Sequence, residues 1–212
     1  TLTPGTGGAL QMERYGFRVD AEYTYAASAL KPAAAIAALE RVQHENQQHG
    51  AAIRLKTPMH VSPAFADETL SKTSLALAIR KVLIVSSNRA YNDLYTVAGQ
   101  DFLNQRMRVA GLSGVRLSHR LSQVRSVEEN RTTAEVRFLV RRGAPVVLPP
   151  RTGTMKLGNT FDSRIDVGSA HYEGRELRPT PLSFVHKNRF GVRDLQDMLL
   201  LLVRPDAPHG LK

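Results

Sequence analysis

Two short groups of residues could do chemistry. Ser28 and Lys31 lie three positions apart in Tyr23-Thr-Tyr-Ala-Ala-Ser-Ala-Leu-Lys-Pro32, and Ser86-Ser87-Asn88 follows at domain scale. A serine hydroxyl is a weak nucleophile at its own pKa and needs a base beside it. A lysine serves as that base when desolvation or a neighbouring cation lowers its pKa. On one helical turn, residues three apart share a face, so the spacing brings hydroxyl and amine within reach. The spacing alone is common, and most instances are an N-cap serine followed by a solvated lysine. Alone, S-x-N also carries little weight.

The elements around these residues follow from local composition. Ala33-Ala-Ala-Ile-Ala-Ala-Leu-Glu-Arg-Val42 is a strong helix former. Pro32 suits its first turn, where the N–H groups have no intrahelical partner anyway. The helix is expected to stop near Gly50. Upstream, residues 1–10 read as a flexible glycine-rich lead-in, and the alternation of Gln11 to Tyr25 predicts one or two strands running into the Ser28 turn. Residues 51–67 read as a loop with an extended piece at Ala51–Leu55. A second helix is expected over Leu70 to Val85, apolar almost all round and therefore interior, delivering Ser86 at its end. Tyr91–Ala98 and Gln100–Ala110 read as short helices punctuated by Gly99 and Gly111. Leu121–Thr133 reads as a polar connection, Ala134–Val140 as a strand and Gly143–Gly158 as a loop. A last helix over Val192–Leu202 is expected to be broken by the Pro205-Asp-Ala-Pro-His-Gly tail.

Composition excludes several classes. There is no cysteine, so disulfides, thiolate catalysis and cysteine zinc sites are out. No apolar run approaches the roughly 18–20 residues of a membrane helix. The seven histidines form no H-E-x-x-H and no carboxylate-paired cluster. His44 and His49 read as exposed, and His119-Arg120 as a structural hydrogen bond. No phosphate-binding glycine loop follows a strand, since Thr6-Gly7-Gly8 opens no helix, and no metal or organic cofactor is expected. The net charge of +10 raises nucleic acid or another anionic polymer as a partner. The basic residues are dispersed, however, and with no tryptophan and 6% aromatics stacking platforms are few, so no specific nucleic-acid binding is expected.

The motifs and their surroundings resemble a known group. Tyr23 to Ala34, Ala78-Ile-Arg-Lys-Val-Leu-Ile-Val-Ser86-Ser-Asn88-Arg-Ala-Tyr-Asn-Asp-Leu-Tyr95 and Gly111-Leu-Ser-Gly-Val-Arg-Leu-Ser-His119-Arg120-Leu-Ser122 are similar to serine hydrolases related to class A β-lactamases and penicillin-binding proteins. The likeness is best over Tyr15–Thr133, and Pro181–Leu202 resembles a later segment. The resemblance implies an α/β (α+β) fold of β-lactamase/transpeptidase type, with a mixed or antiparallel sheet flanked by helices. A helical subdomain at about 70–121 would lie within one domain spanning residues 1–212. It implies Ser28 as the acylated nucleophile, Lys31 as its base, Ser86 as proton relay and Asn88 as the group that holds the substrate amide and Lys31. The Ser28 backbone N–H would form half of an oxyanion hole. Ser87 departs from the pattern, where an aspartate is usual as a structural brace.

The third motif, Lys-Thr/Ser-Gly on a strand, has Arg151-Thr152-Gly153-Thr154 as its weak candidate, and the alternative expectation is a chain that stops before the strands that carry it. The glutamate that activates water in class A enzymes has weak candidates in Glu128 and Glu129. Expected substrates are a small molecule or a peptidoglycan-like peptide, and the expected location is periplasmic or secreted. Two rivals stand beside the hydrolase: a non-catalytic binding or structural module that keeps the fold, and a basic domain that binds anionic polymers.

Overall fold

The structure, a computed structural model, describes residues 2–4, 10–19, 23–159 and 165–204. Strands β1 (Leu2–Pro4) and β2 (Leu10–Met12) pair antiparallel near its start. The strands expected between Gln11 and Tyr25 are corrected: within the described part only Gln11 and Met12 are strand, and Tyr15 and Phe17 are 84% and 88% exposed. Alternating types mark a strand only where a neighbouring strand or a core face takes the apolar set. The expected glycine-rich lead-in is in part this paired strand; residues 5–9 and 20–22 lie outside the described residues, as does the proline-rich tail after residue 204.

The chain divides into two compact units. The larger comprises Ser28–Arg106 and Leu117–Lys156. Its first element, α1 (Lys31–His49), carries proline in the first turn and ends on Gly50 in the left-handed conformation (φ 60°), as the sequence predicts. Its alanines at 33, 34, 35, 37 and 38 are almost wholly buried, so close approach of neighbours, not side-chain bulk, makes this core.

Strand β3 (Met59–Val61) follows Pro58 inside the stretch expected to be loop, and β4 (Ser71–Thr73) pairs with it. Helix α2 (Leu75–Val85) is capped by the Ser74 hydroxyl. The expectation that it is interior is corrected. Only Leu75, Ala78 and Val82 are buried, whereas Leu83, Ile84 and Val85 are 59%, 72% and 67% exposed. Apolar content all round does not tell which face has a neighbour. Helix α3 (Asn88–Ala98), capped by Ser87, packs against α1 and α2, and α4 (Gln100–Val109) follows Gly99.

The connection expected at 121–133 contains a further helix, α5 (Val127–Arg131). Ser126 and Glu129 form a reciprocal capping box there, and the S-x-x-E spacing was its readable sign. Strand β5 (Thr132–Thr133) follows, then β6 (Val136–Phe138) and β7 (Val146–Leu148) join β3 and β4 in an antiparallel sheet of order β4-β3-β6-β7. Met59, Val136, Phe138 and Leu148 form its buried face. Strand β8 (Arg151–Thr152) pairs with β5. Both β7 and β8 lie where a loop was expected, because the prolines at 145, 149 and 150 sit between the short strands rather than within them.

The second unit comprises Thr1–Ala27, Met107–Arg116 and Leu157–Lys212. It holds β9 (Asp166–Val167), β10 (His171–Glu173), β11 (Glu176–Arg178) and β12 (Leu182–Ser183), paired β9 with β12 and β10 with β11. It also holds α6 (Val192–Val203), close to the expected bounds. Tyr23 donates to the Asn188 carbonyl at 2.6 Å, and Arg14 pairs with Asp197. Antiparallel sheets with helices give an α+β fold.

Candidate active site

Ser28 lies in a 3-10 turn, Ala27–Leu30, that leads straight into α1, whose first residue is Lys31. Leu30 is fully buried and Lys31 is 2% exposed, so the turn anchors on these two while Ser28 stays at the surface. Buried at its root, the Lys31 ammonium spends its three donors on one cluster. It donates to Ser28 Oγ at 3.0 Å, to Ser86 Oγ at 2.8 Å and to the Ser86 carbonyl oxygen. Burial pushes the Lys31 pKa down from the usual 10.5. Removing a cation from water favours its neutral form, which is the form a general base needs. Among the described residues no carboxylate bonds to Ser28, Lys31 or Ser86.

The α2–α3 junction delivers the second group. Ser86 terminates α2 in the left-handed conformation (φ 53°), its N–H bonded to the Lys81 carbonyl, and Ser87 caps α3 by accepting from the Ala90 N–H at 3.3 Å. Two helices meeting over two serines make a rigid corner, and the corner aims Ser86 at Lys31. Asn88, the first residue of α3, donates from Nδ2 to Ser122 Oγ at 2.6 Å.

Backbone strain gathers in the same place. Of four non-glycine residues with positive φ among those described, Ala27 (45°) directly precedes Ser28, Ser86 (53°) is in the cluster and Ser122 (55°) bonds to Asn88. The left-handed conformation costs an ordinary L-residue about 1–2 kcal/mol. Such outliers persist where the surrounding structure over-determines them, commonly at functional sites.

Beside Asn88 and Ser122 opens a cleft of about 290 Å³, to which Arg89, Asn92, Asp93 and Arg120 contribute. Burial raises the Asp93 carboxyl, with the Ser71 hydroxyl at 2.8 Å opposing that shift. Arg120 is 3% exposed, and burial lowers its pKa. Its guanidinium donates to the Glu129 and Thr132 carbonyls at 3.2 and 2.7 Å.

The structure therefore brings Ser28, Lys31 and Ser86 into one hydrogen-bonded cluster, with Asn88 two residues beyond Ser86; the expected hold of Asn88 on Lys31 is corrected, since the Lys31 donors go to Ser28 and Ser86 and the Asn88 carboxamide bonds to Ser122. It does not join the weaker candidates to them. Glu128 is exposed on α5, and Glu129 is committed to its capping box, accepting from the Ser126 N–H at 2.7 Å, which holds its carboxyl below the usual range. Arg151 donates to the Thr96 and Val97 carbonyls at 3.0 and 2.9 Å, where a cation suits the helix end. Burial lowers its pKa to about 10. Thr152 is exposed on β8 opposite Thr132. His119 Nδ1 lies 2.6 Å from the Arg120 carbonyl, a backbone contact of the kind expected. Ser122 escaped sequence reading because a lone serine in a polar stretch carries no periodic or motif signal.

Comparison with protein families matches residues 12–139 to the family described as "Beta-lactamase enzyme family", a span of more than half the chain that takes in Ser28, Lys31, Ser86, Asn88 and Ser122. No curated protein matches the chain.

Proposed function

Since the chain belongs to the β-lactamase enzyme family, whose function is of the serine-hydrolase type and whose substrates are small molecules, we propose that it transfers acyl groups through Ser28. The substrate is an amide or β-lactam-like carbonyl compound. The observation that carries this reading is the position of Lys31 Nζ between Ser28 Oγ at 3.0 Å and Ser86 Oγ at 2.8 Å.

Neutral Lys31 takes the proton of Ser28 as the Ser28 oxygen bonds to the carbonyl carbon. The developing oxyanion meets the Ser28 backbone N–H. As the carbon–nitrogen bond breaks, Ser86 Oγ–H gives its proton to the leaving nitrogen and is re-protonated by the Lys31 ammonium, which returns the amine to its starting state. Asn88 holds the amide side of the substrate. Water then releases the acyl group from Ser28. Neither Glu128 nor Glu129 has a contact that would make it the base for this second half, so release is slow relative to acylation. That balance suits a penicillin-binding or D,D-peptidase-like enzyme better than a fast β-lactamase. Family members are often periplasmic or secreted, and a peptidoglycan-like peptide outside the cytoplasm is the natural substrate that fits.

Intact mass after incubation with a panel of penicillins and cephalosporins, with Ser28→Ala as control, tests this. A stable adduct that Ser28→Ala lacks is expected. Unmodified protein with the drug consumed would make it a fast β-lactamase, and unmodified protein with intact drug would remove the β-lactam reading.

A further inference from the structure

We propose that Ser122 is a positioning residue of this active site, holding the Asn88 carboxamide in the one orientation in which it meets the substrate amide. The role rests on the acyl-transfer reading above. A carboxamide offers two N–H donors and a carbonyl on one plane. Ser122 Oγ accepts from Asn88 Nδ2 at 2.6 Å, and a single short hydrogen bond at one end of the plane fixes the other groups on it.

The segment that carries Ser122 is tied to α3 along one helical face. Asn92, one turn beyond Asn88, donates to the Leu121 carbonyl at 3.0 Å and accepts from the Leu121 N–H at 2.9 Å. Tyr91 donates to the His119 carbonyl at 3.3 Å and Tyr95 to the Asn130 carbonyl at 3.1 Å. Residues spaced three, four and seven along a helix share a face. All four side chains at 88, 91, 92 and 95 therefore reach into 119–130. From the far side, buried Asn130 accepts from the Arg120 N–H at 2.9 Å and donates to the Arg125 and Ser126 carbonyls. Leu121 is 7% exposed and anchors the segment by burial.

Ser122 itself is exposed, so it adds nothing to that burial. Its φ of 55° is one that glycine and asparagine adopt at little cost and serine does not. Backbone preference thus opposes serine here, and what serine supplies is the acceptor for Asn88. Strain held at Ser122, beside strain at Ser86 and before Ser28, is part of one arrangement of the site.

Acceptor and backbone can be varied separately. Ser122→Ala removes the acceptor and keeps the strain; Ser122→Gly removes both; Ser122→Asn keeps a side-chain acceptor and tolerates the left-handed conformation. Acylation rate at Ser28, by intact mass with a penicillin, and Tm are measured across the set. Loss of one hydrogen bond slows acylation about five- to tenfold in Ser122→Ala and Ser122→Gly, while Ser122→Asn rescues the rate. Relief of strain raises Tm by about 2–4 °C in Ser122→Gly and Ser122→Asn. The expected pattern is a rate that follows the acceptor and a Tm that follows the backbone. A rate that follows Tm, or is equal in all four proteins, overturns the positioning role and leaves the acyl-transfer reading standing. A folded parent protein with no adduct at Ser28 overturns that reading, and the role with it.

Discussion

Two opposed influences act on Lys31. Three oxygen acceptors favour the ammonium, while burial favours the neutral amine, and the net result is a pKa below 10.5. In the proposed reaction acylation needs the amine, so its rate should rise with pH and level off at the Lys31 pKa, short of 10.5. Between that folded value and 10.5 the unfolded chain holds the lysine proton and the folded protein does not. The unfolded state then binds more protons, so stability rises with pH across this window. A pH–rate profile of Ser28 acylation beside a pH series of Tm checks both limbs. Lys31→Ala should slow acylation by about 10²–10⁴ and remove the plateau, leaving Ser28 without a base. A profile that keeps its plateau in Lys31→Ala would assign the base elsewhere. This site was legible in the sequence to the extent that hydroxyl and amine spacing is legible. S-x-x-K puts its two side chains on one turn by geometry alone, whereas the burial that tunes Lys31 is a property of the fold. Ser122 was not legible, since its contact comes from how a distant segment docks on α3.

At the level of elements, the helices were read best because alanine content, Pro32, Gly50 and Gly99 mark them locally. The short strands were missed for the opposite reason. Two- and three-residue strands such as β3, β7 and β8 exist only through their partners, and their own composition is no stronger than that of a loop. The segment Arg151-Thr152-Gly153 shows the difference in function. As a sequence it could receive a substrate carboxylate; in the fold Arg151 braces the end of α3, and Arg131 Nε donates to the Gly153 carbonyl at 2.7 Å while the Gly153 N–H donates to the Arg131 carbonyl at 2.9 Å. Arg151→Ala should then cost about 2 kcal/mol of stability, because two half-buried carbonyls lose a charged donor. Thr152→Ala, at an exposed position, should stay within about 0.5 kcal/mol. Urea unfolding measures both. If the segment were instead a carboxylate receptor, Thr152→Ala would raise KM for an acidic substrate without moving the urea midpoint, and that result would return it to the active site.

The whole chain carries 29 Lys and Arg against 19 Asp and Glu, a net charge of +10. Charge of this size acts at long range, raising the encounter rate with anionic molecules and weakening as salt screens it beyond about 10 Å at 0.1 M. For the enzyme reading this predicts a kinetic effect. Acylation of Ser28 by a carboxylate-bearing β-lactam should slow as salt rises from about 50 to about 200 mM, while the rate with its uncharged ester should hardly change. The polymer-binding reading predicts something else from the same charge. Affinity for a polymer such as dextran sulfate would fall linearly on a log–log plot against salt, with a slope set by the charges neutralised. It would be identical in Ser28→Ala. Both effects can coexist, so the deciding measurement is acylation at saturating polymer. If the net charge serves to bring substrate to Ser28, bound polymer removes the field and slows acylation by the charged β-lactam alone. Acylation slowed equally for acid and ester would mean that the polymer covers the site itself.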